Sequence, residues 1–344
     1  MFNVYEFFNK ISSLNPRIRL DAGQPDIKVD ERIIEEAVSS LKRGETGYTK
    51  TLGLDELREK IAEVEGVEKE NVIVGNGSKI LIASQILRAK RIGIISPHWQ
   101  AYESIARAFG KEVKIFKTSL EEGWEPKIKR LNVDLLILNY PNNPTGKILP
   151  REKLKEILEI AEEGNVKVLA DEIYSDITFK PFTPVRELYD NVVTIKGFSK
   201  LFSMTGFRLG YAIGQREDIK AMQKFLEVTT TCVPIFIQRA GVKALEIREG
   251  VKKRVVKIYE ERVKLASRIL KGFEFYEPDG AFYLFVKTGI DGLSFAEKLL
   301  EKGVSVFPGI AFGDYRDFIR ISLVSSKLEE GLKIIKEVKL CASE

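Results

Sequence analysis

The segment GFSKLFSMTGFRLGY, residues 197–211, sets two cations, Lys200 and Arg208, eight positions apart among Phe, Met and Leu. A cation buried without a partner costs several kcal/mol, so each side chain either reaches water or has a chemical task. Upstream, Asp171 in LADEIYSDI (169–177) ends a buried run, where an unpaired carboxylate is equally costly unless it caps a turn. NYPNNPTG (139–146) follows another such run and reads on its own as a Pro/Gly turn. GNGSK (75–79) joins a strand to a helix; such turns start helices and can also aim backbone N–H groups at an anion. Taken alone, Trp99 reads as a core residue, and Arg320 in FIRISLV as an edge-strand arginine in a surface ion pair. His98 reads as a packed or capping residue. Each motif alone leaves both readings open.

The elements that must position these residues alternate. NVIVGNG (71–77), RIGIIS, EVKIFK, VDLLILNYP, VKVLADEIY, NVVTIKGFS and FRLGYAIG read as strands. Between them SKILIASQILRAK (78–90, with Ser78 at its start), WQAYESIARAFG and REKLKEILEIAEEG read as helices. Continuous Val/Ile/Leu runs mark strands buried on both faces, and with intervening helices they predict a largely parallel sheet. From about 234 to 271 the period is helical in one long stretch, followed by strands YLFVKT, VSVFPG and DFIRISLV and a helix from Lys327. The expected fold class is α/β: a large domain with a mostly parallel sheet flanked by helices, spanning 26–250, and a smaller α+β domain built from 1–25 and 251–344.

Bulk properties narrow the function classes. At 344 residues and 44% hydrophobic content the chain supports more than one packed core. The net charge of +5 comes from interleaved Lys/Arg and Asp/Glu, a solvated surface and not a nucleic-acid footprint. One histidine and two distant cysteines, Cys232 and Cys341, predict no metal site and no disulfide framework. No run has the apolar length of a membrane span, and MFNVYEFFNK lacks the features of a secretion signal, so a cytoplasmic protein is expected. Heavy Glu and Lys use is the bias of proteins from hot environments.

Read together, a strand-end Asn, an inward Asp with a Tyr three residues later, a Lys and an Arg eight further on resemble the pyridoxal-phosphate site of the class I/II aminotransferases of fold type I. The resemblance runs from LDAGQPD (20–26) through GYTKTLGLDELREKI (47–61) to FIRISLVSS (318–326). SKLFSMTGFRLGY and SPHWQAY look most like the branch with archaeal and bacterial aspartate and aromatic enzymes. It implies pyridoxal 5'-phosphate as cofactor, an amino acid and a 2-oxo acid as substrates in a ping-pong cycle, and catalytic roles for Lys200, Asp171 and Tyr174. Lys200 would form the Schiff base and then shuttle a proton, which requires a neutral amine; apolar surroundings and a nearby cation favour that state. Asp171 would keep the pyridine nitrogen protonated. Tyr174 and Asn143 would bond the ring oxygen, and Trp99 would stack on the ring. Arg208, with Gly77, Ser78, Lys79 and Ser199, would hold the phosphate. Arg320, with Gly23 and Asn143, would bind the substrate carboxylate, and Tyr48 would reach the phosphate of a neighbouring subunit, which makes the protein a homodimer.

Two positions depart from that family's pattern. Gly197 stands where many relatives carry Ser or Thr, and QILRAKRIGIIS (85–96) lacks the usual Pro-Gly-Asp loop. The residue recognising the substrate side chain is not assigned; Arg17, Arg19 and Arg239 are candidates by composition alone. A histidinol-phosphate aminotransferase, or a β-lyase or decarboxylase of the same fold, shares the Lys200–Asp171 core. A non-catalytic sensor would need an added DNA-binding segment, for which the stretch before GQPD is short.

Overall fold

In the α/β region the apolar runs become strands whose alternate side chains enter different cores, which is why these runs read as continuous. In the computed structural model, which describes residues 3–342, the chain begins with α1 (Val4–Leu14), β1 (Ile18–Arg19), α2 (Glu31–Lys42) and α3 (Asp55–Glu65). Residues 1–2 and 343–344 and the Cys341 side chain lie outside the described residues. The α/β region follows: β2 (Val72–Gly75), α4 (Ser78–Arg88), β3 (Arg91–Ser96), α5 (Ala101–Ala108), β4 (Glu112–Lys117), β5 (Leu135–Asn139) and α6 (Arg151–Glu163). It continues with β6 (Lys167–Asp171), β7 (Val192–Gly197), β8 (Gly210–Ile213) and α7 (Arg216–Thr229).

These strands form a seven-stranded sheet in the order β2-β8-β7-β6-β5-β3-β4. Only β8 runs antiparallel, to both β2 and β7. On β5, Leu135 and Ile137 join one core with Ile92, Ile94, Leu169 and Ile195, while Leu136 and Leu138 join another with Val168 and Ala170. Burial on both faces is what a parallel sheet covered by helices demands. The expected α/β fold class is the observed one.

The remainder comprises α8 (Ile235–Glu246), α9 (Arg248–Ile269), β9 (Glu274–Phe275), β10 (Tyr283–Lys287), α10 (Gly292–Glu301), β11 (Val304–Ser305), β12 (Phe307–Pro308), β13 (Phe318–Ser322) and α11 (Leu328–Ala342). β12, β13, β10 and β9 form an antiparallel sheet. The N-terminal segment lies against this tail: β1 pairs in parallel with β11, Phe7 packs on Phe307, and Lys10 reaches Glu297 at 2.7 Å.

Four elements differ from the sequence expectation. The long helical stretch is two helices, turned at Ile247, after which Arg248 starts α9 with a two-pronged ion pair to Asp176. VSVFPG splits at Val306, one half pairing with β1 and the other with β13. α5 begins at Ala101, leaving Trp99 on the turn before it, and β8 begins at Gly210, leaving Arg208 on a turn with φ of 55°. Apolar periodicity does not register such ends, because a side chain on a flanking turn packs on the same core as its neighbours.

Candidate active site

Six strands point the same way and end along one edge of the sheet, and five of them carry site residues at or just beyond their C-terminal ends. β2 leads to Gly77, β3 to Trp99, β5 to Asn143, β6 ends on Asp171 and leads to Tyr174, and β7 leads to Ser199 and Lys200. Antiparallel β8 starts at that edge, so Arg208 on the preceding turn joins them. The chain leaves β3 for β4 on one side and returns to pair β5 on the other, the switch point at which open α/β sheets bind ligands.

Gly23, Ser78, Lys79, Trp99, Asn143, Asp171, Tyr174, Ser199, Lys200, Arg208 and Arg320 all line one cavity of about 660 Å³. Gly77 has φ of 83°, and a Cβ on it would overlap the Arg208 guanidinium, so only glycine lets the helix start approach that cation. Tyr48 does not reach the cavity and is 90% exposed. A Cβ on Gly197 would meet Ile173, Gly210 and the Leu209 carbonyl at 3.1–3.2 Å, so a side chain there would need these neighbours to shift by a few tenths of an ångström.

Lys200 is partly buried; its Nζ donates to the Gly23 carbonyl at 2.7 Å and lies 5.7 Å from the Tyr174 ring centroid. Burial, and then the positive charge of Arg320, push its amine down to about 8. Asp171 is 3% exposed, and its Oδ2 accepts from the Tyr102 hydroxyl at 2.5 Å. Burial raises this carboxyl to about 6, while the Tyr102 bond works against the rise. Tyr174 and Tyr283 share a hydroxyl–hydroxyl bond of 2.7 Å.

Arg320 is buried at 5% exposure, with Tyr283, Phe312 and Phe307 rings 4.6, 4.8 and 5.4 Å from its guanidinium carbon. Its Nη1 donates to Asn143 Oδ1 at 2.9 Å and its Nη2 to the Asp21 carbonyl, whereas Nε has no hydrogen-bond partner. A buried guanidinium with an unmet donor is suited to an incoming carboxylate. Asn143 is oriented in turn by its backbone N–H on Asn139 Oδ1 at 3.1 Å.

The three arginines considered for a substrate side chain are occupied elsewhere. Arg17 pairs with Glu330 at 2.5 Å, Arg19 with Asp21 at 2.7 Å, and Arg239 with Glu45 and Glu56. Sequence reasoning missed Tyr102, Tyr283, Asn139 and the face of α1, whose Tyr5 and Phe8 line the cavity. Tyr102 lies within SPHWQAY and Tyr283 opens YLFVKT, and a tyrosine hydroxyl in an apolar run needs a buried partner.

The family model "Aminotransferase class I and II" matches residues 15–335. An aspartate aminotransferase from Thermococcus kodakarensis is 59% identical over 344 residues, covering 100% of this chain and 94% of that one. One from Thermotoga maritima is 34% identical over 93% of this chain and 90% of its own. A solved aspartate aminotransferase structure from Thermotoga maritima superposes with a TM-score of 0.93 at 31% identity, covering 100% of this chain and 98% of that chain. An aromatic aminotransferase from Pyrococcus horikoshii gives 0.90 at 30% identity, covering 97% and 99%. Sheet topology, cavity residues and sequence likeness agree: this chain belongs to the class I and II aminotransferases.

Proposed function

We propose that the enzyme uses pyridoxal 5'-phosphate to move an amino group between L-amino acids, acidic or aromatic, and 2-oxo acids in a ping-pong cycle. The observation that carries this is a single cavity joining a lysine of depressed pKa, a buried carboxyl and two arginines of different surroundings. The residues fit the cofactor. Gly77 leaves the start of α4 open beside Arg208, so Ser78 and Lys79 amides, Ser199 and Arg208 would hold a phosphate. Bound there, the cofactor supplies the electron sink that weakens the substrate Cα–H bond.

The chain's own groups do the rest. Asp171, its carboxylate fixed by the Tyr102 hydroxyl, would keep a proton on the ring nitrogen of the bound cofactor. Tyr174, braced by Tyr283, and Asn143 would hold the ring oxygen, and Trp99 would cover the ring face. Lys200 Nζ takes the Cα proton in its neutral form, which the lowered pKa supplies. Arg320 grips the α-carboxylate beside Gly23. For the substrate side chain two surfaces offer themselves. Lys79 Nζ stands 5.2 Å from the Trp99 ring centroid and, among the described residues, takes part in no ion pair, so it suits a distal carboxylate. Tyr5, Phe8 and Phe307 make an aromatic wall suited to an aromatic side chain.

A dimer follows from the same reading. Tyr48 is exposed, and α2 shows Ile34, Val38 and Leu41 as an exposed apolar stripe at helical spacing. A second copy seated there would bring its Tyr48 to this site. The cavity lies between a large unit at 26–250 and a smaller one from 1–25 and 251–344, a division supported by the β1–β11 pairing. The location proposed is the cytoplasm; among the described residues no helix is long and apolar enough to cross a membrane.

The test is an absorption spectrum of the protein reconstituted with pyridoxal phosphate. A visible band that aspartate or phenylalanine removes and a 2-oxo acid restores supports transamination and names the donor. A band that no amino acid alters refutes it, and Lys200→Ala should lose the covalently bound form altogether.

A further inference from the structure

We propose that Arg19 and Asp21 are positioning residues for the substrate carboxylate: their ion pair fixes the backbone carbonyl that orients Arg320 and ties it to the α1 wall. This rests on Arg320 being the carboxylate-binding group. The carbonyl in question is that of Asp21 itself, which accepts from Arg320 Nη2 and, at 3.4 Å, from Ser322 Oγ. The Asp21 side chain is wholly buried, and both carboxylate oxygens are held. Arg19 Nε reaches Oδ1 at 2.8 Å and Nη2 reaches Oδ2 at 2.7 Å, while Ser305 Oγ donates to Oδ1 at 2.5 Å. A planar two-pronged pair fixes direction as well as distance.

The flanking backbone is tied down too. Leu20 N–H donates to the Ser305 carbonyl at 2.9 Å, and Ser322 N–H donates to the Leu20 carbonyl at 2.8 Å. Asp21 is therefore clamped between β11 and β13, with its carbonyl turned toward Arg320. Without Arg19, a buried carboxylate would be left with only a serine hydroxyl, so it would move toward water and carry its carbonyl along. The guanidinium of Arg19 also lies 5.7 Å from the Phe8 ring centroid, within cation–π range, and Phe8 lines the cavity. One side chain thus holds the aromatic wall of α1 and, through Asp21, the arginine beneath it. This explains why a cation beside the cavity is not available to a substrate.

The experiment compares Arg19→Gln, Arg19→Lys and Arg320→Gln with wild type, each loaded with pyridoxal phosphate and assayed with one amino acid and one 2-oxo acid. Losing one charged hydrogen-bonded pair should raise KM for both substrates on the order of tenfold in Arg19→Gln, with kcat changed by less than about twofold. Arg19→Lys, which keeps the charge but not the fork, should recover part of that loss, and the bound-cofactor spectrum should not move. Unchanged KM values in Arg19→Gln, or a fall in kcat at constant KM, overturn the positioning role. Should that variant not fold, Ser305→Ala removes one bond to Asp21 and no charge; a smaller rise in the same two KM values supports the role, and no rise overturns it. A rise in Arg320→Gln without one in Arg19→Gln discards the positioning claim alone, while no rise in either discards the reading of Arg320 with it.

Discussion

Arg208 stands exposed on a turn of φ 55°, its Nη1 resting on the Thr205 carbonyl at 2.9 Å, whereas Arg320 is buried in the middle of a strand under three aromatic rings. Both line one cavity, and the proposed function gives each an anion to hold. Burial pushes the Arg320 guanidinium down from its ordinary range, the sign of a charge already stripped of water. An exposed cation keeps its hydration until a ligand displaces it, so it suits a dianionic phosphate that binds once and stays. A desolvated cation has little to lose when a carboxylate arrives, and in a low-dielectric pocket each contact is stronger. It suits a small monoanion that enters and leaves in every half-reaction. The turn leaves Arg208 open to water, whereas Arg320 sits on β13, between β10 and β12, under the rings of Tyr283, Phe307 and Phe312.

The sharpest way to break this comparison is Arg320→Gln, which leaves the substrate carboxylate without its buried counter-charge. A loss of roughly a thousandfold in kcat/KM for amino acids is expected from the 3–5 kcal/mol scale of such pairs, with cofactor retention unchanged. Arg208→Gln should do the reverse. Cofactor affinity should fall on the order of a hundredfold, measured by dialysis and return of absorbance, while KM in the fully loaded enzyme shifts little.

Gly77→Ala should reproduce the Arg208 effect in milder form. Its Cβ needs the space of the guanidinium, and alanine at a φ of 83° adds backbone strain of about 1–3 kcal/mol, read as a lower Tm and weaker cofactor retention. The smallest effect is in pH. With the Lys200 amine lowered from 10.5 to about 8, its neutral fraction grows as pH rises through 8, so the rate of cofactor attachment should climb and level off there. The unfolded chain keeps that proton up to 10.5, so this group adds stability to the cofactor-free fold as pH rises from about 8 to 10.5. A rate that keeps climbing about tenfold per pH unit through 9 without levelling off would show that Arg320 and burial leave Lys200 unperturbed.

Much of the fold was readable before any coordinates. Continuous apolar runs such as RIGIIS and VDLLILNYP marked β3 and β5 as doubly buried, and the helices between them forced a parallel sheet. A Lys, an Asp and two Arg in apolar stretches needed an explanation wherever they were, and the resemblance to the class I/II aminotransferases supplied one and added Gly23, Trp99, Asn143 and Tyr174. What escaped were partners whose chemistry is ordinary. A tyrosine on a helix or strand looks like core, so Tyr102 on Asp171 and Tyr283 on Tyr174 left no mark in the pattern. Element ends escaped too, and Trp99 and Arg208 sit on turns that the sequence reading had drawn as helix and strand.

By itself the sequence determined the composition of the site and the strand ends that carry it, because burial and charge are properties of a residue and its near neighbours. Only the tertiary structure decided who meets whom. Arg320 lies 299 residues from Asp21 and 177 from Asn143, and three arginines equal in sequence became one clamp beside the cavity and two surface ion pairs. The reason is physical: a hydrogen bond selects by distance and angle in space, and chain separation does not encode either.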